Sequence, residues 1–387
     1  MIDFSTLQGL TIPEGVVTQI ADASGRVLWS AGGKPVVLQV EKMSFTSYAG
    51  ETSYSDKCVL LDIYPKTASS TVKITYGGLT KALSFSGINA RQIYFGTFNG
   101  VADETETPDS GTLTIEGGYT AFGCSAYQSG SKTTAKTYCN CITAVTEWGS
   151  VTNIPAYAFQ NCLSLAVTPL PSGITSIGNY AFHNCTNLAL TSLPSGITSI
   201  GESVFSGCTN LALTSLPSGI TSISDGAFIG CLNLALTSLP NSLIRIGNYA
   251  FQNCRKIAIT EIPHGVTSIG ESAFYNLSSD LTVVSTPLMY GRTMTLPETL
   301  QSIGTDAFVF HVRTGNGNNT YYNLFSDSTV TILSATPPSI TGETTRPFGS
   351  AYSKSDRFIV PKGSLAAYET ADGWSGYVAN CTVVEAS

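Results

Sequence analysis

The sequence predicts a mainly β protein in which two small N-terminal units precede a long solenoid of stacked coils. Phenylalanine recurs every 23 residues, at Phe159, Phe182, Phe205, Phe228, Phe251 and Phe274. Cysteine follows three residues later, at Cys162, Cys185, Cys208, Cys231 and Cys254. Upstream, short apolar runs separated by turn residues fill residues 36–125 without helical periodicity. A fixed period of this length indicates a stacked repeat, and the short runs are typical of strands.

The composition excludes several classes of protein. Hydrophobic residues make up 42% of the 387-residue chain and charged residues only 12%, which is too apolar for a disordered chain. No run approaches the ~18 apolar residues of a membrane helix, so we predict no membrane insertion. The net charge is −7 and no basic cluster occurs, so we predict no nucleic-acid partner.

Residues 1–33 are predicted to form a β-hairpin. Two strand-like runs, 16–21 and 26–29, flank the turn residues 22–25. So few residues cannot bury a core of their own, so the hairpin must pack on a neighbour. The segment resembles a short N-terminal module of gut phage and prophage virion proteins, through Leu10 to Gly15, Val17, Ile20, Asp22, Gly25, Leu28 and Trp29. The resemblance implies docking onto a virion component through Ile12, Val17, Ile20, Leu28 and Trp29, and a hairpin that only caps the next domain is the alternative.

Residues 34–130 are predicted to form an Ig-like β-sandwich. The strand-like runs are 36–40, 58–64, 71–76, 83–85, 92–95 and 111–115, with turn residues between them. Cys58 and Cys124 have no tryptophan between them, so the likeness to an immunoglobulin domain is one of architecture only. We expect this domain to act as a spacer, with ligand binding as the alternative.

Residues 131–310 are predicted to form the solenoid, which begins near Cys139 with a degenerate coil. In the coil after Leu170 the apolar positions are Ile174, Ile177, Phe182, Cys185, Leu188, Leu190 and Leu193, and nearly all others are small or polar. Only Asn or Gly precedes each ladder cysteine, at Asn161, Asn184, Gly207, Gly230 and Asn253. These two residue types enter the left-handed backbone conformation most easily, so a bend is expected there.

The repeated pattern IGxxAFxxCxxL, followed by LPxxxTSIG, resembles the BspA-like leucine-rich repeat. The resemblance implies a curved leucine-rich repeat solenoid whose concave parallel sheet comes from residues 188–193, with a second short strand at 197–200. Thr191 stands where that family usually has an apolar residue, which implies an offset or bulged strand. Residues 311–387 resemble the family's C-terminal α/β cap, with a helix over 364–370 and Gly363 or Ser364 as its N-cap.

The residues do not form a catalytic or metal-binding motif, so we predict a non-enzymatic protein with no cofactor and no metal. The ladder cysteines are expected to be buried free thiols, because in-register side chains in neighbouring coils do not meet disulfide geometry. His183 and His264 are expected on solvent-facing turns. Glu202 and Asp225 share one phase of the repeat, but paired catalytic carboxylates are not otherwise indicated.

Two sets of residues are candidates for ligand binding. Thr191, Thr214 and Thr237 form a hydroxyl ladder, for which a merely solvated strand face is the alternative. The second set is aromatic, because aromatic side chains dominate binding energies. It comprises Tyr157, Tyr180, Tyr249, Tyr290 in an insertion near 278–290, and Tyr321 and Tyr322 beside the loop 314–320.

These features predict a phage virion protein that displays the solenoid to a host-surface protein or glycan. Such a protein would be a tail-fibre, receptor-binding or decoration protein. The first residues, 1–6, lack the basic and apolar segments of a secretory signal, which favours a virion protein made in the host cytoplasm. The alternatives are a BspA-like adhesin at the bacterial cell surface and a prophage-encoded intracellular protein-binding scaffold. Oligomeric state is not predictable from these patterns.

Overall fold

A computed structural model describes most of the chain. The described residues are 19–21, 27–30, 36–41, 43–49, 52–65, 71–76, 79–84, 86, 91–97, 110–117, 119–123, 126–127, 137–138, 142–149, 151–167, 169–278, 293–312, 329–341, 347–348 and 356–387. Ile12, Val17, Tyr290, Tyr321 and Tyr322 lie outside them.

The N-terminal part of the chain consists of short antiparallel strands. They are β1 (Gln19–Ala21), β2 (Val27–Ser30), β3 (Val36–Glu41), β4 (Met43–Ala49), β5 (Thr52–Pro65), β6 (Thr71–Tyr76), β7 (Leu79–Ser84), β8 (Arg91–Thr97), β9 (Ser110–Gly117), β10 (Tyr119–Gly123), β11 (Ala126–Tyr127) and β12 (Thr137–Tyr138). Every strand-like run predicted between residues 36 and 115 overlaps one of them, while β4 and β10 were not predicted. β1 pairs with β2 and places Ile20 opposite Trp29.

Strands β3 to β10 divide between two sheets. One has the order β10-β5-β4, with β8 also paired to β5, and the other contains β3, β9, β6 and β7. The second sheet continues into the repeat region through β13 (Ile142–Trp148), which pairs antiparallel with β3 and parallel with β15 (Ala166–Val167). The degenerate first coil therefore shares a strand with the sheet that precedes it. The Ig-like packing of residues 34–130 stays a prediction.

The remaining strands are short and parallel. They are β14 (Asn153–Ile154), β16 (Ser176–Ile177), β17 (Ser199–Ile200), β18 (Ser222–Ile223), β19 (Arg245–Ile246), β20 (Ser268–Ile269), β21 (Asn276–Ser278), β22 (Thr293–Leu296), β23 (Ser302–Gly304), β24 (Phe310–Val312), β25 (Thr329–Ile332), β26 (Ser339–Thr341), β27 (Arg357–Val360) and β28 (Thr382–Glu385). β17, β18, β19, β20, β23 and β26 form one six-stranded sheet, in which each isoleucine is opposite that of the next coil.

The expectation that the main sheet comes from residues 188–193 is wrong for the central coils. Residues 188–193 and the equivalent stretches of the next two coils are joined by one hydrogen bond between neighbouring coils, such as Ala212 N–H to the Leu190 carbonyl at 3.0 Å, and do not form strands. The equivalent stretches of the first and last coils do form strands, β15 and β22. The second, shorter stretch, residues 197–200, provides the sheet instead. A proline follows the leucine at the end of each 188–193-type run, and because proline has no N–H it ends pairing there.

A column of stacked phenylalanine rings runs through the solenoid core. From Phe159 to Phe348 successive ring centroids lie 5.2–5.6 Å apart, with interplanar angles of 16° or less. The column continues past residue 310, where the sequence places the start of the cap. Trp148 closes one end edge-on at 6.0 Å, and Phe358 and Tyr377 close the other at 5.3 and 5.6 Å.

The C-terminal end carries the two helices found in the described residues, α1 (Leu365–Thr370) and α2 (Ser375–Asn380). Ser364 is the N-cap of α1, but its hydroxyl donates to the Pro361 carbonyl, and Glu385 accepts from the Leu365 N–H at 3.0 Å. Buried Tyr368 and Trp374 donate to the carbonyls of Ser334 and Pro338, at 2.7 and 2.8 Å. These bonds join the helices to the last coils. Neither of these helices is long or apolar enough to cross a membrane.

Candidate functional site

The cysteine ladder lies inside the coils and belongs to the scaffold. All five ladder cysteines are free and buried. The thiol of Cys208 donates to the Phe182 carbonyl of the preceding coil at 2.9 Å, and Cys185, Cys231 and Cys254 repeat this bond. Burial raises the pKa values of the Cys185, Cys208 and Cys231 thiols. Over the described ranges, His, Cys, Asp and Glu side chains do not form any group of three that could hold a metal ion.

The predicted threonine ladder lies on an exposed face, which we call the hydroxyl face: Thr191, Ser192, Thr214, Ser215, Thr237 and Ser238. Among the described residues, neither the hydroxyls nor the backbone N–H groups of its three threonines have a hydrogen-bond partner. Three threonines beside the short parallel strands β16, β18 and β20 differ. Thr175, Thr221 and Thr267 each donate their hydroxyl to a carbonyl of the preceding coil at 3.3 Å. The hydroxyls of these three threonines are therefore used internally, whereas those of Thr191, Thr214 and Thr237 are left open on the hydroxyl face.

The predicted tyrosines share one corner of the coil and an unusual backbone. Tyr157, Tyr180 and Tyr249 have φ values of 63°, 58° and 56°. Positive φ is uncommon for bulky residues, and this corner was not predicted. Gly226 occupies the same position with φ of 65°, and its glycine was a sequence signal for positive φ there. The tyrosines at this position in other coils argued against that conformation. The bend predicted at the Asn and Gly before each cysteine is confirmed, with φ of 59° at Asn184 and 76° at Gly207.

Two of the tyrosine hydroxyls already have partners on the next coil. Tyr180 donates to Glu202, and Tyr249 donates to Glu271 at 2.9 Å. These hydrogen bonds, with desolvation, raise the pKa values of both phenols. Tyr157 and Tyr180 stack at 5.2 Å with an interplanar angle of 6°. The corner therefore presents ring faces and fixed carboxylates, and Tyr157 remains 40% exposed.

A polar cleft of about 330 Å³ lies between the coils of Tyr180 and Tyr249. Its lining residues are Asn179, Glu202, Ser222, Ile223, Ser224, Asp225 and Arg245. Asp225 accepts from the Asn248 N–H at 2.9 Å and the Asn248 side-chain amide at 3.2 Å, and lies 3.7 Å from the Arg245 guanidinium. The structure thus brings together Glu202 and Asp225, which share one phase of the repeat.

Sequence reasoning missed Arg245, although a signal was present. The outward position of the sheet strands is serine in Ser176, Ser199, Ser222, Ser268, Ser302 and Ser339, and arginine only in β19. Arg245 is 62% exposed and Ile244 beside it is 50% exposed. Ser224 likewise stands where neighbouring coils have glycine, as at Gly201 and Gly247.

Comparison with known proteins identifies the repeat. A family model described as the BspA type leucine rich repeat region matches in six copies, over residues 132–258 and 221–291. The repeat region belongs to the BspA-type leucine-rich repeat family. A search of the curated proteins finds no match.

Three of the solved structures that match this chain are leucine-rich repeat proteins. A leucine-rich repeat protein from Bacteroides ovatus ATCC 8483 has 17% identity and a TM-score of 0.34, covering 63% of this chain and 72% of that one. A leucine rich cell surface protein from Faecalibacterium prausnitzii A2-165 has 19% identity and a TM-score of 0.25, covering 61% and 78%. The T. pallidum leucine rich repeat protein has 25% identity and a TM-score of 0.27; 42% of this chain matches 62% of its length.

The remaining predictions concern the docking residues of the N-terminal segment and two histidines. Ile20 lies in β1 and Leu28 and Trp29 in β2, so the predicted docking set is only partly within the described residues. His264 is exposed as expected, with its Nδ1 2.9 Å from Glu298. His183 lies on a turn as expected, but it is half-buried, and burial lowers its pKa. In the BspA-type solenoid the binding candidates within the described residues are therefore the hydroxyl face, the tyrosine corner and the cleft.

Proposed function

We propose that the solenoid is a non-enzymatic binding platform of a BspA-like adhesin at the bacterial cell surface, and that its hydroxyl face contacts a protein or glycan ligand. The observation that carries the proposal is the contrast between two sets of threonines. Thr175, Thr221 and Thr267 bond to the preceding coil, whereas Thr191, Thr214 and Thr237 are exposed and unpaired within the described residues. Unpaired hydroxyl and backbone groups on a rigid scaffold can bind a polar ligand without first breaking internal bonds.

The match to the BspA-type family supports an adhesin, which was the alternative prediction from the sequence. It gives no support to a virion protein, and docking through residues 1–33 stays a prediction. The non-enzymatic role is supported by the hydrogen bonds of the two cleft carboxylates, since Glu202 accepts from Tyr180 and Asp225 accepts from Asn248. Both carboxylates help to join neighbouring coils.

The experiment compares two triple variants of the full chain on a glycan array and an array of purified extracellular proteins. T191V/T214V/T237V removes the open hydroxyls at nearly constant volume, and T175V/T221V/T267V removes the paired ones. We expect the first variant to lose at least about tenfold in affinity, about 1.4 kcal/mol, with unchanged stability. The second should keep its affinity and lose stability.

Two results would contradict the proposal. If the intact chain binds nothing on either array, or if the first triple variant binds as well as the intact chain, the hydroxyl face is not the binding surface. Release of reducing ends from a bound glycan would contradict the non-enzymatic role.

A further inference from the structure

The cleft between the coils of Tyr180 and Tyr249 differs from the hydroxyl face because the repeat itself is interrupted there. Ser224 replaces a glycine, Ile244 a threonine and Arg245 a serine, in two neighbouring coils. Ser224 and Arg245 both line the cleft. Neither the phenylalanine column nor the cysteine ladder changes in these coils, so the interruption alters the surface and leaves the core intact.

The lining groups suit a ligand that both donates and accepts hydrogen bonds. Glu202 and Asp225 supply acceptors, Arg245 supplies donors, and the amide and hydroxyl groups of Asn179, Ser222 and Ser224 supply both. Asp225 is held in place by the Asn248 N–H at 2.9 Å, and its carboxylate packs against Gly247, where a Cβ would lie only 2.4 Å from Oδ1. The acceptors are therefore fixed before any ligand arrives.

The charge of the cleft narrows the ligand class. Two carboxylates face one guanidinium, so an anionic ligand such as a phosphate or an acidic sugar is repelled. The volume of about 330 Å³ is at the lower end of the range for small-molecule sites. Tyr180 donates its hydroxyl to Glu202, which leaves the other carboxylate oxygen of this lining residue as an acceptor. Closely spaced donors and acceptors beside the apolar Ile223 complement the hydroxyls and the C–H groups of a pyranose.

We propose that this cleft is a subsite for a neutral pyranose unit of a glycan. The inference rests on the proposed function, since it assigns a ligand class to the same solenoid, but it concerns a different surface from the hydroxyl face. A cationic amino sugar is the competing ligand, because the net charge of the lining would attract it.

The test measures binding of the full chain by calorimetry to neutral maltotetraose, cellotetraose and mannotetraose, to the acidic galacturonic acid tetramer and to the cationic glucosamine tetramer. The variants are R245S, which restores the serine of neighbouring coils, and D225N, which introduces the residue found at the same position in Asn179 and Asn248. Both substitutions use residues that the repeat already tolerates. R357S, at an exposed arginine of β27, is the matched control.

We expect at least one neutral tetramer to bind, and R245S and D225N to weaken it by about tenfold or more, since each loses a charged hydrogen-bonding group. R357S should bind as the intact chain does. The inference is overturned if no neutral tetramer binds, if only the cationic or acidic tetramer binds, or if R245S and D225N leave the affinity unchanged. If the cleft variants bind normally while T191V/T214V/T237V does not, the cleft inference falls and the proposed function stands. If the intact chain binds nothing on either array, the proposed function falls as well.

Discussion

Truncation of one ring in the phenylalanine column tests how the solenoid is held together. Phe228 is fully buried, with Phe205 at 5.5 Å and Phe251 at 5.4 Å on its two sides. Phe228→Ala removes a phenyl group from the middle of the column and separates it into two parts. Phe to Ala changes in cores destabilise by about 3–5 kcal/mol, through lost burial and the cavity left behind. We expect a loss near the middle of that range, about 4 kcal/mol, because rings on both sides lose a stacking partner.

The assay is urea unfolding combined with hydrogen exchange read by mass spectrometry. Since each coil contacts only its neighbours, lost protection should concentrate between residues 205 and 251 and decline towards the cap. Phe228→Leu keeps most of the apolar volume and should lose less than about 1.5 kcal/mol. Thr214→Ala, at an exposed position, should lie within about 0.5 kcal/mol of the intact chain. The reasoning is refuted if Phe228→Ala unfolds like Thr214→Ala, or if protection is lost equally at residues 356–387.

Two further predictions concern the other ladders. Asn184 has φ of 59° and donates to Asn161 at 2.9 Å, so Asn184→Ala should lower the free energy of unfolding by about 1–2 kcal/mol in urea unfolding. Asn184→Gly should have a smaller effect, because Gly207 and Gly230 occupy the same position in other coils. Asn187→Ala, at an exposed asparagine, is the control, and equal effects of Ala and Gly at position 184 would contradict the backbone argument. The thiolate is the reactive form of cysteine, so the buried ladder cysteines should resist alkylation in the native protein at pH 8. Burial raises the pKa of Cys381 to about 12, so this cysteine should react faster as the pH rises towards that value. Peptide mass spectrometry before and after unfolding measures both rates, and rapid alkylation of Cys208 in the native protein would contradict its burial.

The regular positions of the repeat were predictable because one physical requirement is repeated in every coil. Phe182, Cys185 and the equivalent residues of the other described coils are buried. The Asn or Gly before each ladder cysteine adopts the left-handed backbone that was predicted. Each coil therefore shows the same buried positions and the same bend, and the pattern remains detectable when one coil departs from it. Ile142 and Ile154 of the degenerate first coil lie 23 residues before Leu165 and Ile177, and they are buried as well.

What was missed depends on interactions between coils that no single copy reveals. The left-handed backbone at Tyr180 is compensated by hydrogen bonds to the next coil, such as Tyr180 N–H to the Glu202 carbonyl at 2.9 Å. The cleft arises from differences between copies, since Ser224 and Arg245 matter only beside Asp225 and Glu202 of neighbouring coils. A pattern averaged over the repeats suppresses these single changes.

The dipeptide Thr-Ser shows why residue type alone does not separate scaffold from surface. It occurs twice in one coil, at Thr191-Ser192 and at Thr198-Ser199. The second copy lies in the parallel sheet, where Ser199 pairs with Ser222 and the Thr198 carbonyl accepts both the N–H and the hydroxyl of Thr221. The first copy lies in a stretch that does not form a strand in this coil, and its hydroxyl and N–H groups have no partner in the described residues. A threonine hydroxyl therefore joins two coils at Thr221 and remains available to a ligand at Thr214, because the neighbouring backbone decides which hydrogen bonds are already made.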